Sequence, residues 1–149
     1  HLADLDEATW QAVRADDPTW LPSPLPNRVD HVVSETARVR QGVGAIENQD
    51  WGTFGSLMTA SGRSSATSYD MSHKVVEEMV SLLTGLPGVL GVRMMGGGEG
   101  GPALALVHKD AVEDIRQALD LMFFRKHDLD PETSFEVCTF GPGASFARQ

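Results

Sequence analysis

The glycine-rich segment at residues 96–101 is the part of the sequence whose composition points most directly to chemistry. Five of its six residues lack a side chain, namely Gly96, Gly97, Gly98, Gly100 and Gly101. Consecutive backbone N–H groups without side chains between them can approach and surround an anion such as a phosphate. A long, flexible hairpin loop would have the same composition, so the residues alone leave both interpretations open.

The same segment contains the string G-x-G-x-x-G, which opens a helix in dinucleotide-binding proteins. Here a strand-like run starts at Pro102, and the Gly-Lys-Ser/Thr of a Walker loop does not follow the glycines. The segment is therefore predicted to be neither of these two nucleotide-binding motifs. A helix directly after Gly101 would contradict this prediction.

Two further features, a possible metal site and a possible nucleophile, have simpler explanations. His31 and Glu35 lie four residues apart on a predicted helix, which is the spacing of half a metal site. No further ligand cluster is visible, so we expect an exposed pair and no metal site. Cys138 is the single cysteine, and since no Cys-His arrangement accompanies it, we expect an inert thiol.

Composition places the chain among ordinary globular proteins. The 149 residues are 41% hydrophobic and 22% charged, which is enough apolar material for a core without disulfides. The net charge is −9 and no basic stripe is present, so we expect no nucleic-acid partner and no anionic membrane surface. The absence of a transmembrane run or signal-peptide pattern, with only one cysteine, suits a reducing cytoplasm.

Hydrophobic periodicity predicts a helical first half. The predicted helices lie at residues 4–16, 27–46, about 50–61 and 72–84. Four prolines predict a connector at residues 17–26, and small polar residues predict a second connector at 61–69. The clearest helix, residues 27–46, carries an apolar stripe from Val29 to Ile46.

The second half changes to a strand-rich pattern. Strands are predicted at residues 88–95, 102–107 and 134–140, with a helix whose apolar stripe runs from Val112 to Phe123. This order predicts an α+β fold with helices packed on one sheet. We expect one domain over residues 1–149, divided into a helix and proline-rich connector (1–26), a helical part (27–86) and a β-loop-β-α-β part (87–143).

Four short blocks carry a more specific pattern: RVDHVVSETARV (28–39), FGSLMTASGRSS (54–65), YDMS (69–72) and GVRMMGGGEGGPALALV (91–107). In order and spacing they resemble the patterns R-x-x-H-V-x-x-E-x-x-R-V, F-G-x-L-M-x-x-S-H-x-S-L, Y-x-V-S and G-A-R-M-T-G-G-G-F-G-G-C. These patterns belong to the C-terminal half of the GHMP small-molecule kinases, and the galactokinase branch is the most similar. The resemblance extends from Arg28 to about Gly143.

The resemblance implies a ferredoxin-like α+β domain with an antiparallel sheet and helices on one face. It implies an ATP- and Mg²⁺-dependent sugar kinase of carbohydrate metabolism, with the glycine loop buttressing the nucleotide phosphates. The family's sugar site and catalytic residues lie in an N-terminal half that is missing here, so this chain carries no catalytic residue and is expected to be inactive alone. Its partners would be ATP, a sugar and that N-terminal half, and the oligomeric state stays open.

The resemblance also suggests residues that line the cleft beside the loop. They are Ser61, Arg63, Ser64, Tyr69, Arg93 and Glu99. Five of them have a simpler explanation, which is a polar helix end or connector for the first four and a structural salt bridge for Arg93.

This sequence departs from the family pattern at several positions around the loop. Glu99 would repel a triphosphate by about 3 kcal/mol at roughly 5 Å. Met95 replaces the usual Thr, Pro102 removes an N–H donor, and Gly62 replaces a histidine. Two alternatives therefore stay open beside a kinase: a non-catalytic sugar or nucleotide sensor, and a free-standing ferredoxin-like oligomerisation module.

Overall fold

The structure of the protein is a computed structural model that describes residues 1–139 and residue 141, except for the side chain of Ala3. The chain falls into two units, His1–Ile115 and Arg116–Gln149. Each unit is described by itself below. The expectation of one domain over residues 1–149 stays a prediction.

Four helices precede the sheet in the first unit: α1 (Glu7–Asp16), α2 (Leu25–Glu47), α3 (Trp51–Thr67) and α4 (Lys74–Thr84). A short 3₁₀ turn, Leu2–Asp4, lies before α1. Side chains cap the N-termini of three of these helices. Asp6 accepts a hydrogen bond from the Thr9 N–H at 2.8 Å, Asp50 accepts one from the Thr53 N–H at 2.9 Å, and His73 Nδ1 accepts one from the Val75 N–H at 3.3 Å. The four helices confirm the predicted helical first half.

The predicted connector at residues 61–69 is wrong for most of its length, because α3 continues through Thr67. The small residues that indicated a connector belong to a helix lying very close to a strand. A Cβ atom at Gly62 would lie 2.8 Å from the Cβ of Arg93. Small side chains are therefore required here by packing, which outweighs their low helix propensity.

The sheet of the described residues has two antiparallel strands, β1 (Val89–Met94) and β2 (Ala103–Val107). Met94 pairs with Ala103 and Val92 with Ala105. A strand therefore follows the glycine segment, as predicted, and the dinucleotide fingerprint is excluded.

Two groups of buried side chains form the interior of the first unit. Trp10 on α1 packs with Val29 and Val33 on α2, and its indole N–H donates a hydrogen bond to Asp30 Oδ1 at 2.6 Å. Val76 and Leu83 of α4 and Val92 and Met94 of β1 are also buried. Burial of these apolar side chains holds the helices together and on the sheet.

Helix α3 packs against β1 at backbone contact. A Cβ atom at Gly91 would lie 2.0 Å from the carbonyl oxygen of Gly55, and one at Gly55 would lie 2.3 Å from the carbonyl oxygen of Leu90. Neither position tolerates any side chain without movement of the backbone. The Thr59 hydroxyl of α3 also accepts a hydrogen bond from the Val92 N–H at 3.0 Å.

The second unit begins within α5 (Val112–Leu119), which follows a 3₁₀ turn at Lys109–Ala111. A π-helical turn (Asp120–Phe124), a 3₁₀ turn (Arg125–His127) and the short helix α6 (Pro131–Ser134) come next. Phe123 and Phe124 are buried, with ring centroids 6.1 Å apart. Arg116 and Glu132 join α5 to α6 through a 2.6 Å salt bridge.

The third predicted strand, residues 134–140, is wrong where the structure describes it. Ser134 ends α6, and residues 135–139 form no strand. The alternating pattern is present, but Val137 is 64% exposed and has no buried face to occupy. Phe140, the last residue of the predicted strand, lies outside the described residues. Among the described helices, none is long and apolar enough to cross a membrane.

Because Gly55 and Gly91 are in contact, a single methyl group added there is expected to destabilise the fold strongly. We expect Gly91→Ala to lower the free energy of unfolding by about 3 kcal/mol, because the added Cβ can fit only if α3 moves away from β1. The measurement is urea unfolding followed by far-UV circular dichroism.

Gly44→Ala on α2 is the matched control for this variant. Nothing lies within 4 Å of the added Cβ, and alanine is the better helix former by up to about 1 kcal/mol. Its unfolding midpoint should match or exceed that of the wild type. Equal midpoints for the two variants would show that α3 and β1 are not in backbone contact.

Candidate functional site

The glycine segment forms a loop that joins β1 to β2, and its backbone adopts conformations that favour glycine. The φ angles are +91° at Gly96, +99° at Gly98, +125° at Gly100 and +120° at Gly101. A Cβ atom at Gly96, Gly97 or Gly100 would meet nothing within 4 Å. The peptide groups of the loop are therefore open to a ligand at these three positions.

Two contacts fix the loop. At its base, the Met95 N–H donates a hydrogen bond to the Pro102 carbonyl oxygen at 2.8 Å. In its middle, Gly98 is buried, and a Cβ there would lie 2.7 Å from Met71 Cγ. The loop is thus seated on the connector between α3 and α4.

That connector is in turn held by α2. Arg28 Nη1 donates a hydrogen bond to the Ser68 carbonyl oxygen at 2.8 Å, and the Arg28 guanidinium lies 5.4 Å from the ring centroid of Tyr69. Arg28 also forms a 3.3 Å salt bridge with Asp70, and His31 contacts the Tyr69 ring at a centroid distance of 5.0 Å. The predicted site residue Tyr69 therefore links α2 to the segment beneath the loop.

A second group of contacts joins α2, α3 and β1 around Ser61. The buried Ser61 hydroxyl donates to Glu35 Oε1 at 2.5 Å and accepts from Arg93 Nη1 at 2.6 Å. Arg38 Nε donates to Glu35 Oε2 at 2.9 Å, and Arg93 Nη1 lies 3.8 Å from Glu35 Oε1. We call Glu35, Arg38, Ser61 and Arg93 the Glu35 network.

The electrostatics of the Glu35 network favour an ionised Glu35. Burial alone would raise the pKa of Glu35, but hydrogen bonds from Ser61 and Arg38 and the charges of Arg38 and Arg93 lower it below its ordinary value. One carboxylate therefore faces two guanidinium groups. The network carries an excess of one positive charge within a chain whose net charge is −9.

His31 and Ser64 form the next contact along the two helices. His31 Nδ1 and Ser64 Oγ are 2.9 Å apart. Burial, with a smaller contribution from nearby arginines, lowers the pKa of His31 below its ordinary value although Glu35 opposes this shift. The expectation that His31 and Glu35 form an exposed pair is wrong, because both are partly buried and each has a partner on α3.

The structure places the six predicted cleft residues in three different surroundings. Ser61, Ser64, Tyr69 and Arg93 all face α2, whereas Arg63 is exposed on another side of α3. There Arg63 lines a separate cavity of about 420 Å³ with Glu77 and Met94. Glu99 is exposed within the loop, and Cys138 is exposed in the second unit.

Sequence reasoning missed the contribution of α2 to this site. Arg28 and Arg38 were noted only as parts of a pattern and Glu35 only as a neighbour of His31, although all three are partly buried in the structure. The available signal was their placement: charged residues lie on α2 within a turn of its apolar stripe, where they must meet another element. Among the described residues, no group of three His, Cys, Asp or Glu side chains could hold a metal ion.

Comparison with known proteins shows what this chain is similar to. Residues 43–124 match the family model for the C-terminal domain of GHMP kinases. The galactokinase of Exiguobacterium sibiricum is 35% identical over 125 residues, which are 84% of this chain and 32% of that protein. The galactokinase of Thermotoga neapolitana is 36% identical over 118 residues, which are 79% of this chain and 34% of that protein.

A solved structure shows the same fold. The crystal structure of Lactococcus lactis galactokinase complexed with galactose superposes with a TM-score of 0.76 at 28% identity. The superposition covers 85% of this chain and 32% of that protein, so this chain spans about a third of the length of its relatives. The fold is therefore the α+β fold of these C-terminal domains, and the chain belongs to the GHMP kinase family, whose C-terminal domain it matches.

Proposed function

We propose that this chain is the C-terminal part of an ATP-dependent sugar kinase of the galactokinase type. The observation that carries the proposal is the glycine loop, whose open peptide groups are fixed by Met71 and by the hydrogen bond between Met95 and Pro102. Backbone N–H groups in such a loop suit the oxygens of a phosphate chain. The similarity to galactokinases supports ATP and a sugar as the two substrates.

In the proposed reaction, the γ-phosphoryl group of ATP passes to a sugar hydroxyl. This chain contributes positioning and charge, which are the main sources of catalysis in phosphoryl transfer. The loop holds the phosphates from one side, and the positive excess of the Glu35 network lies at the end of the same strand. Mg²⁺, which neutralises charge on the phosphates, finds no three-ligand group among the described residues, so the nucleotide and the rest of the kinase would hold it.

A second candidate function is a non-catalytic sensor of the same ligands. Glu99 favours it, because an exposed carboxylate inside the loop repels phosphate oxygens. Pro102 favours it as well, because it supplies no N–H donor at the base of the loop. Activity of the complete protein distinguishes the two functions, whereas binding does not.

The loop predicts a specific response to inorganic triphosphate. In the ¹⁵N-labelled chain, we expect triphosphate at millimolar concentrations to shift the amide signals of the five loop glycines and to leave Gly44 and Gly85 unchanged. Gly98→Ala should weaken this binding at least about tenfold, because the added Cβ meets Met71 and the φ of +99° is unfavourable for alanine. The shifts at increasing triphosphate concentration measure the affinity.

Gly44→Ala on α2 is the control for Gly98→Ala, because it adds the same carbon outside the loop. Its added Cβ meets nothing within 4 Å. It should bind triphosphate as the wild type does. If loop signals of the wild type do not move at any triphosphate concentration, the phosphate-binding role of the loop is wrong.

The kinase proposal predicts galactose-dependent consumption of MgATP. The gene that encodes this chain should be expressed over its whole length and assayed with a panel of sugars, while the 149-residue chain serves as a control. We expect turnover by the complete product and none by the chain alone, because the resemblance assigns the catalytic residues to the other half. Binding of MgATP without turnover on any sugar would favour the sensor.

A further inference from the structure

Arg93 is held in one orientation by partners from three elements. Its Nε donates to the Met94 carbonyl oxygen at 3.2 Å, and its Nη1 donates to the Ser61 hydroxyl at 2.6 Å. Ser61 is fixed in turn, because its own proton is donated to Glu35. Glu35 therefore acts on Arg93 both through Ser61 and directly, across 3.8 Å.

The remaining guanidinium nitrogen of Arg93, Nη2, is left for another hydrogen-bond acceptor. None of the hydrogen bonds within the described part of the chain uses Nη2, and the side chain is 35% exposed. Arg38, by contrast, uses Nη2 to donate to Ser34 Oγ at 2.8 Å and is only 17% exposed. Of the two arginines that share Glu35, Arg93 is the one available to a ligand.

Arg93 also lies close to the loop along the strand. Two residues, Met94 and Met95, separate it from Gly96, and three steps of extended chain span at most about 10 Å. With one carboxylate shared between two guanidinium groups, the charge that remains uncompensated is positive, and it would attract an anion. A guanidinium held in a fixed plane can donate two hydrogen bonds to phosphate oxygens at a lower entropic cost than a free one.

We propose that Glu35 is a positioning residue that holds Arg93, through Ser61, to bind a phosphate group of the nucleotide bound at the glycine loop. The inference rests on the proposed function, since it needs phosphates at the loop. The alternative is a purely structural role, in which the Glu35 network only stabilises the packing of α2 against α3 and β1. The two roles differ in whether the Arg93 side chain responds to phosphate.

The test uses the full 149-residue chain with inorganic triphosphate as the probe. Glu35→Gln keeps the shape of the side chain and removes its charge. We expect this variant to bind triphosphate about tenfold more weakly than the wild type, as judged by the loop glycine signals. Glu47→Gln, at the exposed end of the same helix, should bind as the wild type does.

The NMR signal of the Arg93 Nε–H group distinguishes a positioning role of Glu35 from a purely structural one. In the wild type, we expect triphosphate to shift this signal together with the loop glycines, and in Glu35→Gln we expect the shift to be lost. A merely structural network would lower the unfolding midpoint of Glu35→Gln but would leave the Arg93 signal insensitive to triphosphate in both proteins. That outcome would overturn the inference.

A second variant covers the case in which Glu35→Gln does not fold. Arg93→Lys keeps the positive charge and Glu35 but removes the planar pair of donors, and we expect a similar loss of affinity. Wild-type affinity in Arg93→Lys would show that Arg93 does not bind the phosphate. Normal triphosphate binding by a folded Glu35→Gln would contradict only the positioning role, whereas no binding by the wild type would contradict the proposed function itself.

Discussion

The backbone contact between α3 and β1 is the constraint on which the rest of the first unit depends. Gly55 and Gly91 have no side chains at the point of contact, and the addition of one carbon at either position would place it within 2.3 Å of a carbonyl oxygen. Because the two elements are this close, the Thr59 hydroxyl reaches the Val92 N–H and the Ser61 hydroxyl reaches Arg93. Any side chain at the contact would separate these partners as well as the backbones.

Placing polar groups in this interface is costly unless each finds a partner. The described residues meet this requirement, since none of their buried side-chain nitrogen or oxygen atoms lacks one. Helix α2 supplies much of the compensation through Glu35, while Val29 and Val33 on the same helix are buried against Trp10. Helix α2 therefore contributes to the core and also contacts both segments that reach the loop. One is the connector that carries Tyr69 and Met71, and the other is the strand that carries Arg93.

Much of the fold could be predicted from local patterns, and the errors have one physical origin. The apolar stripe predicted α2 almost to its ends, and the apolar run that starts at Pro102 predicted the strand after the glycines. The continuation of α3 to Thr67 was missed because serine and glycine weaken helices in isolation, whereas here Gly62 packs against Arg93, Ser61 is hydrogen-bonded to Arg93 and Ser64 contacts His31. The strand predicted at residues 134–140 was wrong because alternation shows a capacity to pair and does not supply a neighbouring strand.

In the candidate site, too, some residues could be recognised from the local sequence and others could not. The glycines could be recognised in the sequence because their chemistry depends on the absence of a side chain. Glu35 was visible only as a residue four positions after His31, and this spacing suggested a metal site or a solvated pair. Its actual partners, Ser61 and Arg93, lie 26 and 58 positions further along the chain. A carboxylate that bridges three elements has no local signature, so its role could be derived only once the fold had brought its partners together.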